Sequence, residues 1–579
     1  MNRRSRLFAG ASTAAALLLG GCSVEGAAFG LGADSAASVA GASLTSAGVA
    51  ELDYSDLGIE EADTAFDAAD AVEVLLADGG SSGGDGVAVS GDVVTITESG
   101  TYRVQGTLTS GSLVIDADGV VNLVLDGVGI TAADVAALHV VEAEAVVVRL
   151  ADGTENVLAD TPGAAADETA DDLVNATLFS TSDLWITGEG ALRVTAHAAD
   201  GITSKDSLVI TGGDLTVTAD DDGVRGKDHL VITGGTLAAD VGGDALRSDN
   251  DAVTEDQDET VGVIWVEGGT LDLTAGADAI DAVRQVTVAG GELTIAATDD
   301  GIHSDNVLRI GGGRIDITES YEGIEGAYVS LSGGDVTVAA ADDGINVAGG
   351  VEELAETTAT EGEVGPGMPG RGGGPMGEAG TGGRFTSTPA VTDLSSLTVY
   401  AMVGSGFGGP AEGRNGDRFL AVSSGTYVID TWSDGVDVNG SMTMTGGTLV
   451  VTGTDDPRNG ALDVDDEFTI SGGTLAANGT SAMAVAPGDG SSQATLAMTF
   501  GATVPAGTLV TITDGDGNQV AAFTTVKDSQ SFVYSADELV AGADYAISVG
   551  GSVSGHSLGS LVLDGVTSGD MTIGYVAAG

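Results

Sequence analysis

The sequence predicts an all-β protein: a parallel β-helix solenoid of about a dozen coils of ~22 residues, closed by a small C-terminal antiparallel β module. Three observations predict it. Gly-Gly dipeptides recur at a nearly constant interval, apolar and polar residues alternate on both sides of each dipeptide, and no helical period competes with that alternation along the repeats.

The first 22 residues, "MNRRSRLFAGASTAAALLLGGC", carry a basic start (Arg3, Arg4, Arg6), an apolar stretch too short to span a bilayer, and then Cys22. This pattern resembles a bacterial lipoprotein signal peptide, in which Cys22 becomes the lipidated first residue. It predicts an extracellular protein anchored to the cell membrane through that lipid alone. Cys22 is the single cysteine, so no disulfide forms within the chain. Residues 23–86 are rich in Ala, Ser, Gly and Asp and are expected to form a flexible tether.

The β-helix is expected over residues 87–492. The glycines that precede each new strand are Gly190, Gly213, Gly235, Gly269, Gly291, Gly313 and Gly334, then Gly425, Gly447 and Gly473, mostly 21 to 23 residues apart. Each unit runs GG-x-L-x-V, a polar turn ending in Asp-Gly, an inward Ile or Val, and L-x-I-x-GG. Leucine-rich repeats have a similar length but need a regular Asn, which is absent. Less regular coils upstream of residue 190 would cap the open apolar end. Two insertions, at about 249–262 and 351–424, fall between strands, where a solenoid tolerates them. The second contains "GPGMPGRGGGPMGEAGTGGRF" and lacks the apolar residues a core needs. Residues 493–579 are expected to form the antiparallel cap module.

Stacking the units in register turns sequence positions into surface columns. The acid that ends each turn recurs as Asp200, Asp222, Asp244, Asp278, Asp300, Glu322, Asp343 and Asp434. The preceding position adds Asp221, Asp299 and Asp342, and the position after the inward Ile or Val adds Asp281, Glu325, Asn346, Asp437 and Asp463. A single Asp-Gly is a favoured turn whose carboxylate bonds local amides. A column is different, because like charges ~4.8 Å apart repel by about 3 kcal/mol at an effective dielectric near 20. Bound cations would relieve that repulsion. Carboxylates without His or Cys clusters suit Ca2+ rather than zinc, and the five histidines do not cluster with one another. The expected metal ligands are Asp200, Asp221, Asp222, Asp244, Asp278, Asp281, Asp299, Asp300, Glu322, Glu325, Asp342 and Asp343.

The formal charge of −68, from 87 acidic against 19 basic residues, excludes a nucleic-acid partner and equally fits general salt adaptation. The scarce bases nevertheless converge. Thr203, Arg225 and Arg247 share one column, and Lys205, Lys227 and Asp249 share the column two residues on. They form either salt bridges to the aspartates or a strip that binds polymer carboxylates. Trp185, Val209, Val231, Trp265, Thr287 and Arg309 form a third column, where the two tryptophans either stack on pyranose rings or lie under a covering segment. The expected substrate-binding residues are therefore Lys205, Arg225, Lys227, Arg247, Trp185 and Trp265.

With the repeats laid out, "NATLFSTSDLWITGEGALRVTA", "ADGITSKDSLVITGG", "DDGVRGKDHLVITGG" and "GGDALRSDND", followed by the Gly/Pro/Met-rich loop and the terminal β module, resemble the bacterial secreted carbohydrate-binding β-helix proteins, similar in fold to pectate lyases. The resemblance covers about Val87 to Gly579. It implies a right-handed parallel β-helix, bound calcium, and non-catalytic binding of polygalacturonate-like or cellulosic polymers. Its turn pattern matches at Asp200, Asp222, Asp300 and Asp343 and departs after Asp244 and Asp278, where Ala replaces Gly. An acidic polysaccharide is the expected partner. Two alternatives stay open. One is a calcium-dependent lyase with Arg225, Lys227 or Arg247 as base, and the other is a structural or adhesive surface rod.

Overall fold

The computed structural model describes residues 51–59, 62–64, 70–132, 136–161, 174–250, 260–349, 394–402 and 418–579. Cys22 and most of the 351–424 insertion lie outside them. Among the described residues, 39 strands join one hydrogen-bonded network and six form a second, antiparallel sheet. No described helix is long and apolar enough to cross a membrane.

The repeat organises three parallel ladders. Asp200–Ser204, Val224–Gly226, Leu246–Ser248 and Ile280–Ala282 pair in sequence to form the first. Ser207–Ile210, His229–Ile232, Val263–Val266 and Gln285–Val288 form the second. Asp214–Ala219, Thr236–Val241, Thr270–Ala275 and Glu292–Ala297 form the third. Period-two alternation sends one set of side chains from every strand inward. Ile202, Val224, Leu246 and Ile280 stack in the first ladder, Leu208, Leu230, Ile264 and Val286 in the second, and Leu215, Leu237, Leu271 and Leu293 in the third, all buried in one apolar cluster. Each such aliphatic side chain stabilises the fold by about 1.5–3 kcal/mol.

The paired glycines have separate reasons. Gly235 adopts φ +87°, which an L side chain resists, while a Cβ on Gly290 would lie 2.4 Å from the Glu267 carbonyl oxygen of the preceding repeat. One glycine turns the chain and the other admits its neighbour.

Three boundaries differ from expectation. The tether does not extend to residue 86, because Val72–Leu76 pairs in parallel with Gly100–Leu108 and Val87–Ser90 pairs with Val93–Ile96. Residues 51–59 are also placed, against the second ladder, where the Leu52 backbone exchanges two 2.9 Å hydrogen bonds with the Gln285 side-chain amide. The later part of the 351–424 insertion is drawn into the sheet network. Val399–Ala401 pairs antiparallel with Thr495–Val504, and the parallel strand Phe419–Thr431 begins six residues before Gly425. The parallel order ends where Thr474–Gly479 meets Ser529–Ser535 in antiparallel register.

Candidate functional site

The acid that ends each turn enters the first ladder, and its role is set by the repeat next to it. Asp222 Oδ1 accepts a hydrogen bond from the Asp244 amide at 2.9 Å, Asp244 Oδ1 from the Asp278 amide at 3.0 Å, and Asp278 Oδ1 from the Asp300 amide at 2.8 Å. Asp343 accepts from the Asp434 amide in the same way, at 2.9 Å. The partner is therefore not a local turn amide but the equivalent amide one repeat away. Ala245 and Ala279 do not interrupt the chain of bonds, so replacing Gly at those turns leaves Asp244 and Asp278 in the series.

Beside this row runs a second one, three residues later in each repeat. Thr203, Arg225, Arg247, Asp281, His303, Glu325, Asn346, Asp437 and Asp463 are successive register partners in one column. The arginines and the later acids thus share a column, changing from cationic to anionic between Arg247 and Asp281.

At the cationic end the charges are paired. Arg225 Nε and Nη2 donate to the two Asp249 oxygens at 2.9 and 2.6 Å. Arg247 Nη1 reaches Asp244 at 2.8 Å and Asp222 at 3.3 Å, and its Nε lies 3.4 Å from Asp249. Burial works against the Arg247 charge, but Asp222, Asp244, Asp249 and Asp281 together outweigh it and hold the guanidinium above its usual range. For Arg225 and Arg247 the structure shows salt bridges to the aspartates. Lys205 Nζ sits 5.8 Å from the Phe179 ring centroid, and Lys227 lies one repeat further along.

The acid rows are nevertheless crowded. Carboxylate oxygens of Asp200, Asp221 and Asp222 lie within 4.8 Å of one another, as do those of Asp278, Asp299 and Asp300. Burial, with repulsion from Asp222, pushes Asp200 up to about 7. Asp244 rises to about 7 through burial, Asp222 and Asp281, and Asp278 to about 6 chiefly through burial. Burial together with Glu325 raises both Asp300 and Glu322. Asp342 and Asp343 continue the row, with Asp343 raised by burial.

Sequence reasoning missed one member, His303, and placed a second, Asn346, in the column without counting it among the metal ligands. His303 Nδ1 lies 3.0 Å from Asp281 Oδ1, and its ring nitrogens fall within 4.8 Å of carboxylate oxygens in two groups, Asp278 with Asp281 and Asp300 with Glu325. The histidines do not cluster with one another, but this one joins the acids. Burial disfavours its charged form, yet the hydrogen bond to Asp281 and the charges of Asp281, Glu325 and Asp278 prevail and raise its pKa. Its position after the inward Ile302 was the available signal. Asn346, 9% exposed, donates to Glu322 at 2.7 Å, and its Oδ1 is buried with no hydrogen-bond partner among the described residues.

The tryptophan column has the expected register but not an open face. Trp185 and Trp265 are 6% and 9% exposed and pack with Val209, Val231 and Leu57, with Leu52, Tyr54 and Ile59 against them. Tyr54 meets Trp265 edge-on at 6.0 Å, and Glu51 pairs with Arg309 at 3.0 Å. Neither indole is available to stack on a sugar, because residues 51–59 cover both.

The crowded acids and the covered tryptophans frame the comparison with known proteins. A 205-residue stretch, 35% of this chain and 70% of the relative, is 46% identical to a carbohydrate-binding domain-containing protein of Acetivibrio thermocellus. This chain belongs to the carbohydrate-binding domain-containing family. The family's own model, described in the same words, matches residues 90–344 and so takes in both rows from Asp200 to Asp343. A solved polysaccharide lyase-like protein from C. thermocellum, determined as a gadolinium derivative, aligns over 42% of this chain and 96% of its own with 32% identity and a TM-score of 0.39. For a member of this family, the first ladder is a charged face and the second a covered one.

Proposed function

We propose that the three ladders form a right-handed parallel β-helix whose first face binds acidic, polygalacturonate-like polysaccharide through calcium ions held by the two acid rows. Carbohydrate binding follows from the family. The observation that carries the finer reading is the surplus of buried carboxylate past the arginines: the second oxygens of Asp200, Asp222 and Asp244 meet Arg225 or Arg247, whereas Asp278, with Oδ1 spent on the Asp300 amide, groups with the carboxylates of Asp299 and Asp300. Protons or cations must supply the missing charge. The carboxylate-only groups Asp200–Asp221–Asp222 and Asp278–Asp299–Asp300, with an orphaned amide oxygen further along at Asn346, fit a hard divalent cation. Such an ion offers open coordination positions to polymer carboxylates that the protein's own charge would otherwise repel.

Binding fits this strip better than lyase chemistry does, because a guanidinium already held by both oxygens of Asp249 is not a proton acceptor. It also fits better than a rod that calcium merely stiffens, given the family. Lipidation of Cys22 would keep the protein at the cell surface. The test is retention of metal-free protein on immobilised polygalacturonate, with and without millimolar calcium. Calcium-dependent retention without release of unsaturated uronate supports binding. Product release would establish the lyase, and equal passage under both conditions would refute the calcium-bridged reading.

A further inference from the structure

The third tryptophan lies where the first two do not. Trp432 is 64% exposed, on the turn that leads into the acid row at Asp434. That turn is pinned from several sides. Thr431 Oγ1 donates to the carbonyls of Ser433 and Asp434 at 3.1 and 3.2 Å, and the Asn459 side chain donates to Ser433 Oγ at 2.7 Å. Lys527, from the C-terminal module, places its ammonium 4.5 Å from the indole centroid, and its own side chain is only 11% exposed. It also pairs with Asp430 and donates to the Thr431 carbonyl. The large exposed ring is thus held in place before any ligand arrives, which lowers the ordering cost of binding.

A second aromatic stands on the same edge. Tyr321, 48% exposed, immediately precedes Glu322 of the acid row. The Ala341 amide bonds the Ser320 carbonyl, and Ala340 registers with Thr431. These contacts set Trp432 two repeats from the Ser320–Tyr321 turn, about 10 Å along the stacking direction at one strand spacing per repeat. Two rings at that separation, beside a row of carboxylates, match sugar rings two places apart on one chain.

We infer that Trp432, with Tyr321, is the stacking platform on which the polysaccharide lays its pyranose rings, with Lys527 as the residue that positions the indole. The inference rests on the carbohydrate-binding reading and assigns that role to the turn edge rather than to the Trp185–Trp265 face. It explains how a protein whose sugar-sized tryptophan column is covered still offers an aromatic surface to a carbohydrate.

The test compares wild-type protein, Trp432→Ala, Trp432→Phe and Tyr321→Ala on immobilised polygalacturonate, alginate, xylan and cellulose in calcium buffer, with melting temperature and calcium uptake measured in parallel. On whichever polymer retains wild type, Trp432→Ala is expected to bind about tenfold or more weakly, the size of effect typical of an aromatic hot spot, with Trp432→Phe intermediate. Melting and calcium uptake should not change. Acrylamide quenching should also show polymer protecting the wild-type tryptophan signal but not that of Trp432→Phe. Wild-type-like retention by Trp432→Ala overturns the platform while leaving the acidic-polysaccharide reading intact. Retention of wild type by a neutral polymer only, with loss in Trp432→Ala, upholds the platform and refutes the acidic reading. If none of the four polymers retains wild type, both fall.

Discussion

Replacing Arg247 by Gln tests the energetics of the paired rows. Its guanidinium touches Asp222, Asp244 and Asp249 at 3.3, 2.8 and 3.4 Å, and the first two carboxylates are almost fully buried. Breaking a fully buried ion pair costs about 3–5 kcal/mol, but Arg247 itself is 34% exposed, which places the loss below that range, at about 2 kcal/mol. The cost should depend on pH in a defined direction. Asp244 already sits at about 7 with the arginine present, and removing the arginine raises it and Asp222 further. In the variant both acids therefore take up protons as pH falls, so the penalty is full at pH 8 and shrinks by pH 5. Thermal unfolding of metal-free protein, followed by circular dichroism at both pH values, reads this as a melting point several degrees lower at pH 8 and closer to wild type at pH 5. The double variant Arg247→Gln/Asp244→Asn should recover part of the loss, since it removes an uncompensated charge. An unchanged melting point at pH 8, or an equal loss at both pH values, would refute the assignment of Arg247 as the counter-charge of these acids.

Three further outcomes are expected. In metal-free wild type, Asp200 and Asp244 at about 7 and Asp278 at about 6 all lie above the ordinary unfolded carboxylate value. The native state therefore holds extra protons, and melting temperature should fall as pH rises from about 4 to 8, whereas a rise over that range would contradict the crowding. Leu52→Ala combined with Tyr54→Ala should loosen the cover over Trp185 and Trp265 and shift tryptophan emission to the red, and an unchanged spectrum would show that the cover does not depend on these contacts. Cys22→Ser should move the protein from the membrane fraction to the medium, and unchanged fractionation would make Cys22 incidental.

The register of the ladders was legible residue by residue. Glycine marks and period-two alternation placed Trp185, Val209, Val231, Trp265, Thr287 and Arg309 in one column, as the pairing shows. Sequence periodicity reports which neighbours a strand residue has within its sheet, and little else. It carries no sign of what lies over the sheet, which is why the cover from residues 51–59, bonded to Gln285 across 233 positions, reads in the sequence as tether. The continuity of the arginine column into Asp281 and His303 was obscured for a different reason. The insertion after Asp249 stretches the step from Arg247 to Asp281 to 34 residues, against 22 from Arg225 to Arg247, so the two halves look like separate patterns. The bonding of each turn acid to the next repeat's amide follows only once the repeats are stacked in three dimensions. Trp432 stood apart from the tryptophan column, and its significance depends on exposure, which alternation does not report for a residue in a turn.

The most direct test of the account is the calcium concentration needed for half-maximal retention on polygalacturonate, measured for wild type and for the Asp278→Asn/Asp300→Asn double variant. These two acids lie with Asp299 in one group of oxygens, and the Asp300 amide bonds Asp278 Oδ1, which an asparagine carbonyl can still accept. If the acid rows hold the ions that bridge protein to polymer, losing two carboxylate charges should raise that concentration about tenfold or more, as reduced ligand charge does in oxygen-ligated calcium sites, with the melting temperature in metal-free buffer unchanged or raised. An unchanged calcium requirement in a folded double variant would contradict the account.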